Sequence, residues 1–262
     1  GADTQFDPEF SAANWAVDAK IRTKNAHNFF SLDAMDLAYT PTQWQKKMQP
    51  SIYHEKIHVI HDGIDTNKVC PDAQASITLN ATGHKLKAGD EIITFVNRNF
   101  EPYRGYHIFM RALVEIMQQR PKAIVLMVGG DGVSYGAPPS TASSWKEQFF
   151  NEVKDQIDSS RLLFLGKLSY EAYLSVLQIS AVHVYLTYPF VLSWSLLEAM
   201  SAGCVVVASK TAPVEEVIQH GETGVLVDFF DVAGLANAVI DVLRHPDQYQ
   251  TMRQAARAHV QQ

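Results

Sequence analysis

Arg98 and Arg104 follow an apolar run over 92–96, and Arg104 is joined to Gly105 ahead of a helical pattern. A guanidinium presents forked donors that match phosphate oxygens. The pair therefore predicts a phosphate or diphosphate site, provided the run is a strand whose carboxyl end faces a ligand. Gly105 would allow a tight turn close to that ligand. The same spacing also suits two solvated surface arginines, and nothing local decides between them. Gly129-Gly130-Asp131-Gly132 closes a second apolar run but lacks the G-x-G-x-x-G dinucleotide spacing. It suits either a plain turn or close backbone approach to a ligand.

The stretch 185–203 carries the most chemistry. A strand should end near Thr187, Pro189 turns the chain, and a helix should open between Ser193 and Ser195 and stop at Gly203. A helix N-terminus aimed at the carboxyl edge of a sheet offers unpaired N–H groups and a favourable dipole to an anion. Ser193 to Leu196 would supply those groups, with two hydroxyls added. Glu198 has two readings. It completes a capping box with Ser195, or its carboxylate accepts hydrogen bonds from ligand hydroxyls such as a ribose diol. His61, His107, His183 and His220 show no metal-ligand spacing, no Asp-x-Asp occurs, and Asp62-Gly63-Ile64-Asp65 reads as a turn. No metal is expected.

The elements that must position these groups are legible from periodicity. Apolar, β-branched runs at 92–96, 124–128, 162–165, 182–186, 205–208 and 224–227 alternate with helical patterns, clearest over 108–117, 145–157, 232–243 and 249–260. This alternation implies βαβ units around a parallel sheet with helices on both faces, an α/β, doubly wound, Rossmann-like domain. Ligands then bind at the carboxyl ends of the strands. The first part differs. A helix over 12–34 and short strands at 36–39 and 56–60 are too few for a self-sufficient α/β domain. They are expected to be a partial α/β remnant of a first domain. The segment 65–89 shows little periodicity and is expected to be a linker. The division is drawn as 1–75, remnant and hinge, and 76–262, ligand-binding domain. The missing initiator Met and the helical last residues point to a piece of something longer.

Charged residues make up 19% of the chain and the net charge is −6, which disfavours a general nucleic-acid binder. Cys70 and Cys204 lie far apart without a C-x-x-C pattern, as free thiols of a reducing, cytoplasmic setting would. No stretch reaches the roughly 18 apolar residues of a membrane span, and residues 1–10 lack a signal-peptide pattern.

Taken in order, the motifs resemble glycosyltransferase family 4, the "group 1" set of retaining enzymes with the GT-B fold. Val96-Asn-Arg98 with Glu101-Pro-Tyr-Arg104-Gly105 resembles the opening of that family's donor domain. The resemblance implies that Arg98 and Arg104 hold the diphosphate of a nucleotide-sugar donor and stabilise it as it leaves. Leu163-Phe-Leu-Gly166-Lys167-Leu168 resembles the strand and turn that contact the base; Gly130, from the turn after the second apolar run, is added as a candidate for close backbone approach to the donor. Leu196-Leu-Glu198-Ala-Met-Ser-Ala-Gly203 resembles the signature whose glutamate binds the ribose. Glu215-Glu216-Val-Ile with Gly221-Glu-Thr-Gly224 resembles the segment that follows. Thr40-Pro-Thr42 and 59–65 look like the end of the acceptor domain and the hinge. One departure stands out: the family has a second glutamate eight positions earlier, where this chain has Phe190.

The resemblance thus implies transfer of a hexose from a nucleoside-diphosphate sugar to a sugar or glycan acceptor in polysaccharide biosynthesis, without cofactor. Any peripheral membrane contact would run through the missing part of the first domain, and the piece alone is expected to bind donor weakly. Two classes of alternative stay open, another enzyme on the same fold and a non-catalytic module. A sugar-nucleotide epimerase would need an acid and a base that are not identifiable, and a phosphorylase a pyridoxal-phosphate lysine site that nothing here resembles. A non-catalytic nucleotide-binding or interaction module would fit the loss at Phe190.

Overall fold

A computed structural model describes residues 5–10, 15–79 and 83–262. The first expected helix appears as α1 (Trp15–Ala34), residues 12–14 of that expectation lying outside the described ones. It is followed by β1 (Ala38–Thr40), α2 (Gln43–Lys47) and β2 (Ile57–Val59). The two strands pair in parallel, Ala38 opposite Ile57 and Thr40 opposite Val59. No residue of α1 is buried.

The stretch expected to be a linker contains a small antiparallel hairpin, β3 (Ser76–Thr78) and β4 (Lys85–Lys87). Three-residue strands are too short to show an alternation. One inward side chain, Leu86 at 1% exposure between two exposed lysines, is all that orients the second strand. Ahead of the hairpin, Val69 is buried and its carbonyl accepts from Ser201 Oγ at 2.6 Å and Arg257 Nη1 at 3.0 Å.

The rest alternates as the apolar runs predict: β5 (Ile92–Asn99), α3 (Tyr106–Gln119), β6 (Ile124–Gly130), α4 (Trp145–Val153), β7 (Leu162–Gly166), α5 (Tyr170–Gln178), β8 (Val182–Tyr185), α6 (Trp194–Ser201), β9 (Val205–Ser209), α7 (Ala212–Glu215), β10 (Val225–Val227), α8 (Val232–Arg244) and α9 (Gln250–Val260). Ser144, Ser169 and Asp231 cap α4, α5 and α8, each side chain accepting an N–H from the first turn. The six strands β5 to β10 form one sheet in the order β10-β9-β8-β5-β6-β7, all neighbours parallel. The chain winds outward from β5 to β7, then returns to the other side of β5 and winds outward to β10. Strand order reverses between β5 and β8, which opens a crevice at their carboxyl ends.

Both faces of the sheet are apolar. Ile93, Phe95, Val125, Met127, Val184 and Val207 face α3, α4 and α8. Val206, Ala208 and Tyr185 pack with α6, and Leu126 and Val128 with α5. The segment 5–10 lies on the first of these faces: Phe6 meets Tyr188 and Phe229, and Phe10 meets His107 and Trp145. Between them Asp7 is 3% exposed, 3.0 Å from His107 Nε2, and accepts from Tyr188 Oη at 2.6 Å. Burial pushes its carboxyl up, but those hydrogen bonds outweigh it and leave it below the ordinary aspartate range.

Candidate functional site

The crevice between β5 and β8 is built first by a turn. Pro102 to Arg104 form a single 3-10 turn that ends on Gly105 in the left-handed region, φ 65°. A Cβ there would lie 2.4 Å from Leu186 Cβ, so any side chain would push the start of α3 away from the end of β8. With the two in contact, Arg104 is carried across the crevice. It is only 6% exposed, and its Nη1 donates to Thr187 Oγ1 at 2.9 Å and to the Val191 carbonyl at 3.3 Å. Arg104 is thus no solvated surface arginine, whereas Arg98 at the end of β5 is exposed. Arg104 also lies beside Tyr185, whose phenol burial raises against the pull of the guanidinium.

The double glycine has a packing cause. A Cβ at Gly129 would sit 2.4 Å from the Asn97 carbonyl, and one at Gly130 2.7 Å from Asn99 Oδ1 and 3.3 Å from Lys167 Cε. The close approach is by the ends of β5 and by Lys167, within the chain itself. Lys167 is exposed just beyond β7, and Leu168 is half-buried against the core under α5.

Sequence reading missed Glu101. Its side chain is 1% exposed, and its carboxylate accepts the backbone N–H groups of Ser134, Tyr135 and Gly136 at 3.2 to 3.4 Å. That buried acceptor holds the loop after β6, and the only local signal for it was an acid among apolar neighbours.

Helix α6 starts at Trp194 with Ser193 as its N-cap. The Ser193 hydroxyl makes no cap bond. It lies 3.0 Å from Ser195 Oγ, while Ser193 N donates to Tyr185 Oη at 2.9 Å. Ser195 is 8% exposed. Leu196 points into the core, and its N–H already reaches the Ser193 carbonyl at 3.2 Å. Glu198 stands in the second turn, too late for the capping box. Its two oxygens accept from the phenols of Tyr170 at 2.9 Å and Tyr173 at 2.7 Å, both on α5. Burial, then the neighbouring carboxylate, pushes Tyr170 up to about 12 and raises Tyr173 as well, so both remain proton donors at neutral pH. Their i,i+3 spacing on a helix was the available signal.

Where the resemblance leads one to expect a glutamate, Phe190 meets Tyr135 edge-on, ring centres 4.9 Å apart. Among the described residues no group of three or more His, Cys, Asp or Glu could hold a metal ion, and no helix is long and apolar enough to cross a membrane. Both cysteines are free; burial pushes the Cys204 thiol up to about 11.

Two family models match: "Glycosyl transferases group 1" over residues 78–259 and "Glycosyl transferase family 4 group" over residues 1–69. The chain is similar to N-acetyl-alpha-D-glucosaminyl L-malate synthase of Bacillus anthracis, with 34% identity over 226 residues, 82% of this chain and 55% of that protein. It spans about half the length of the curated relatives it matches. Among solved structures, sucrose-phosphate synthase from Thermosynechococcus elongatus superposes with a TM-score of 0.73 at 22% identity, covering 97% of this chain and 60% of that one. Anabaena Alr3699/HepE in complex with UDP-glucose gives 0.66 at 18% identity, covering 86% and 58%. At these identities the structural likeness shows the fold.

Proposed function

Since the chain belongs to the group 1 glycosyl transferases, we propose that it forms the donor-binding half of a retaining enzyme that moves a hexosyl group from a nucleoside diphosphate to an acceptor hydroxyl. The observation that carries this reading is Arg104, a cation buried at the switch point of a doubly wound sheet and held there by Thr187 and Val191. The complex of Alr3699/HepE with UDP-glucose on the same fold supports the ligand class.

As the bond to the sugar breaks, the departing nucleoside diphosphate gains negative charge. Arg98, Arg104 and the N–H groups at the start of α6 would stabilise it, each charge-assisted hydrogen bond contributing about 1.5–3 kcal/mol. These groups supply the positive potential that a metal otherwise would, so donor binding is expected to persist in a chelator. Glu198 would take the ribose hydroxyls, which replace the Tyr170 phenol as donors while Tyr173 keeps the carboxylate oriented. Lys167 and Leu168, with Gly130 opposite, would flank the base. The acceptor, a sugar or other hydroxyl compound, would enter from the side of β1 and β2, and transfer by this chain alone is expected to be poor.

The test is calorimetric titration with UDP-, GDP- and ADP-hexoses and their diphosphates in a chelator. Saturable binding of one nucleotide, weakened about 10- to 100-fold by Arg104→Ala and by Glu198→Ala, is the expected result. Binding indifferent to both changes would remove the donor site. Phe190 favours a second reading, a nucleotide-binding module without transferase activity. Transfer of a hexosyl group from a nucleoside diphosphate to an acceptor hydroxyl by this protein would exclude it.

A further inference from the structure

Three aromatic rings line the crevice beside Arg104. Phe190, in the loop between β8 and α6, lies 4.9 Å from the Tyr135 ring centre and 6.3 Å from that of Tyr103. The guanidinium carbon of Arg104 is 5.3 Å from the centre of Tyr135 and 5.9 Å from that of Phe190. Tyr135 is 37% exposed, although it belongs to a loop rich in glycine, serine and proline that has no apolar anchor of its own. Its place is fixed by Glu101, a carboxylate withdrawn from water to bind three consecutive backbone N–H groups. Burying a carboxylate and ordering a loop both cost free energy. Tyr135 packs on Phe190, Tyr103 and Arg104 and still leaves more than a third of its surface open at that place.

We propose that Tyr135 and Phe190, backed by Tyr103, form a wall on which the transferred sugar lays a face of C–H bonds, with Glu101 as the positioning residue for Tyr135. The inference rests on the donor-site reading. A diphosphate drawn to Arg104 brings its sugar to within reach of these rings. The negative face of an aromatic ring attracts the weakly positive hydrogens of a C–H face. Phe190 offers no acceptor for a sugar hydroxyl, so at its position the wall reads shape and apolar surface in place of a hydroxyl pattern, and the phenols of Tyr103 and Tyr135 are tested separately by removal of their hydroxyls. A surface of that kind separates a hydroxylated substrate from its deoxy analogue weakly, because removing the hydroxyl leaves no buried partner unpaired. The substrate class is therefore a hexosyl or deoxyhexosyl nucleotide.

The experiment titrates the 262-residue chain with three probes: the tightest binder among UDP-, GDP- and ADP-glucose, its diphosphate, and its 6-deoxyglucosyl counterpart. Phe190→Ala and Tyr135→Ala should each weaken the nucleotide sugar by about tenfold and leave the diphosphate within about twofold. Phe190→Tyr and Tyr135→Phe should restore affinity, and Tyr103→Phe should leave it unchanged. Glu101→Gln should weaken only the nucleotide sugar, and should add nothing in a Tyr135→Ala background, an outcome that a general loss of structure would not give. The 6-deoxy nucleotide should bind within about fivefold of its parent. Equal weakening of diphosphate and nucleotide sugar would mean that the rings only brace Arg104, and would overturn the wall. So would indifference to the substitutions, or rejection of the deoxy nucleotide by more than about a hundredfold. A chain that binds none of the nucleotides overturns the donor site and the wall together; a chain that binds the diphosphate with indifferent rings overturns the wall alone. If Phe190→Ala melts early, Phe190→Leu keeps the volume and removes the ring.

Discussion

The two ends of the described chain treat the same kind of residue in opposite ways. In the six-stranded unit, Phe95 and Phe109 stack at 4.7 Å and both are fully buried. In the region 15–60, Trp15 is 81% exposed, Phe30 74% and Ile52 77%. Both regions have helices with apolar side chains. The difference is in what each helix finds to pack against. A sheet of six strands offers two wide apolar faces, while β1 and β2 offer three residues each. Apolar residues gathered on one helix face, as in α3 and α8, meet the sheet and form a core, whereas those of α1 are spread around the helix and none is buried, so α1 lacks the packed face from which most helical stability comes. Apolar surface left open on this scale is unusual for a soluble monomer.

The contrast can be broken most directly in the cores. Phe109→Ala should cost about 3–5 kcal/mol in urea unfolding, and Phe30→Ala about 0.5 kcal/mol or less. Equal costs would mean that α1 is packed in solution and that the two regions are one core.

A pH titration sharpens the contrast. His183 in β8 is fully buried, with Nδ1 2.8 Å from Thr94 Oγ1 and Nε2 without a hydrogen-bond partner among the described residues. Burial depresses it from 6.5 to about 3. The unfolded chain then binds a proton below pH 6.5 that the folded chain refuses until about pH 3. Stability is thus full above pH 6.5 and falls as the pH drops through that window, by ~1.4 kcal/mol per unit at most. The urea midpoint should fall between pH 6.5 and 5, and His183→Asn should flatten the slope. An unchanged slope would show that another group sets the acid sensitivity.

The smallest effect is expected where the two regions touch. The Glu216 carboxylate accepts from the N–H groups of Gln43 at 2.7 Å and Trp44 at 2.6 Å, capping α2 from across the molecule. Glu216→Ala should cost about 1 kcal/mol or less. Hydrogen exchange should rise over Gln43–Lys47 while protection in β5 and β6 stays unchanged. Faster exchange throughout the sheet would mean that the contact supports the whole fold.

The alternation of strand and helix, the parallel sheet, the left-handed Gly105 and the stop at Gly203, φ 83°, follow from the sequence itself. These are local properties: the period of apolar residues, and backbone angles that an L side chain disfavours. The pair β3 and β4 escaped because these short strands are mostly polar, Ser76-Ile-Thr78 and Lys85-Leu-Lys87, whereas the equally short β2 and β10 stand in apolar runs. The turn at Pro189 followed by a helix from near Ser193 is legible in the same way, whereas Glu198 closes no capping box, because the helix begins at Trp194.

What the crevice contains was settled by tertiary structure. Arg104 is buried because the sheet order sets β8 beside β5 and brings in Thr187, 83 positions away. Glu198 meets Tyr170 and Tyr173 only when α5 and α6 cover the same face. Glu101 becomes an anchor only when the loop after β6 folds over it. An arginine, a glutamate or a tyrosine has the same local signature on the surface and in a site. Its burial and its partners depend on contacts between segments distant in the chain, and local periodicity carries no information about those.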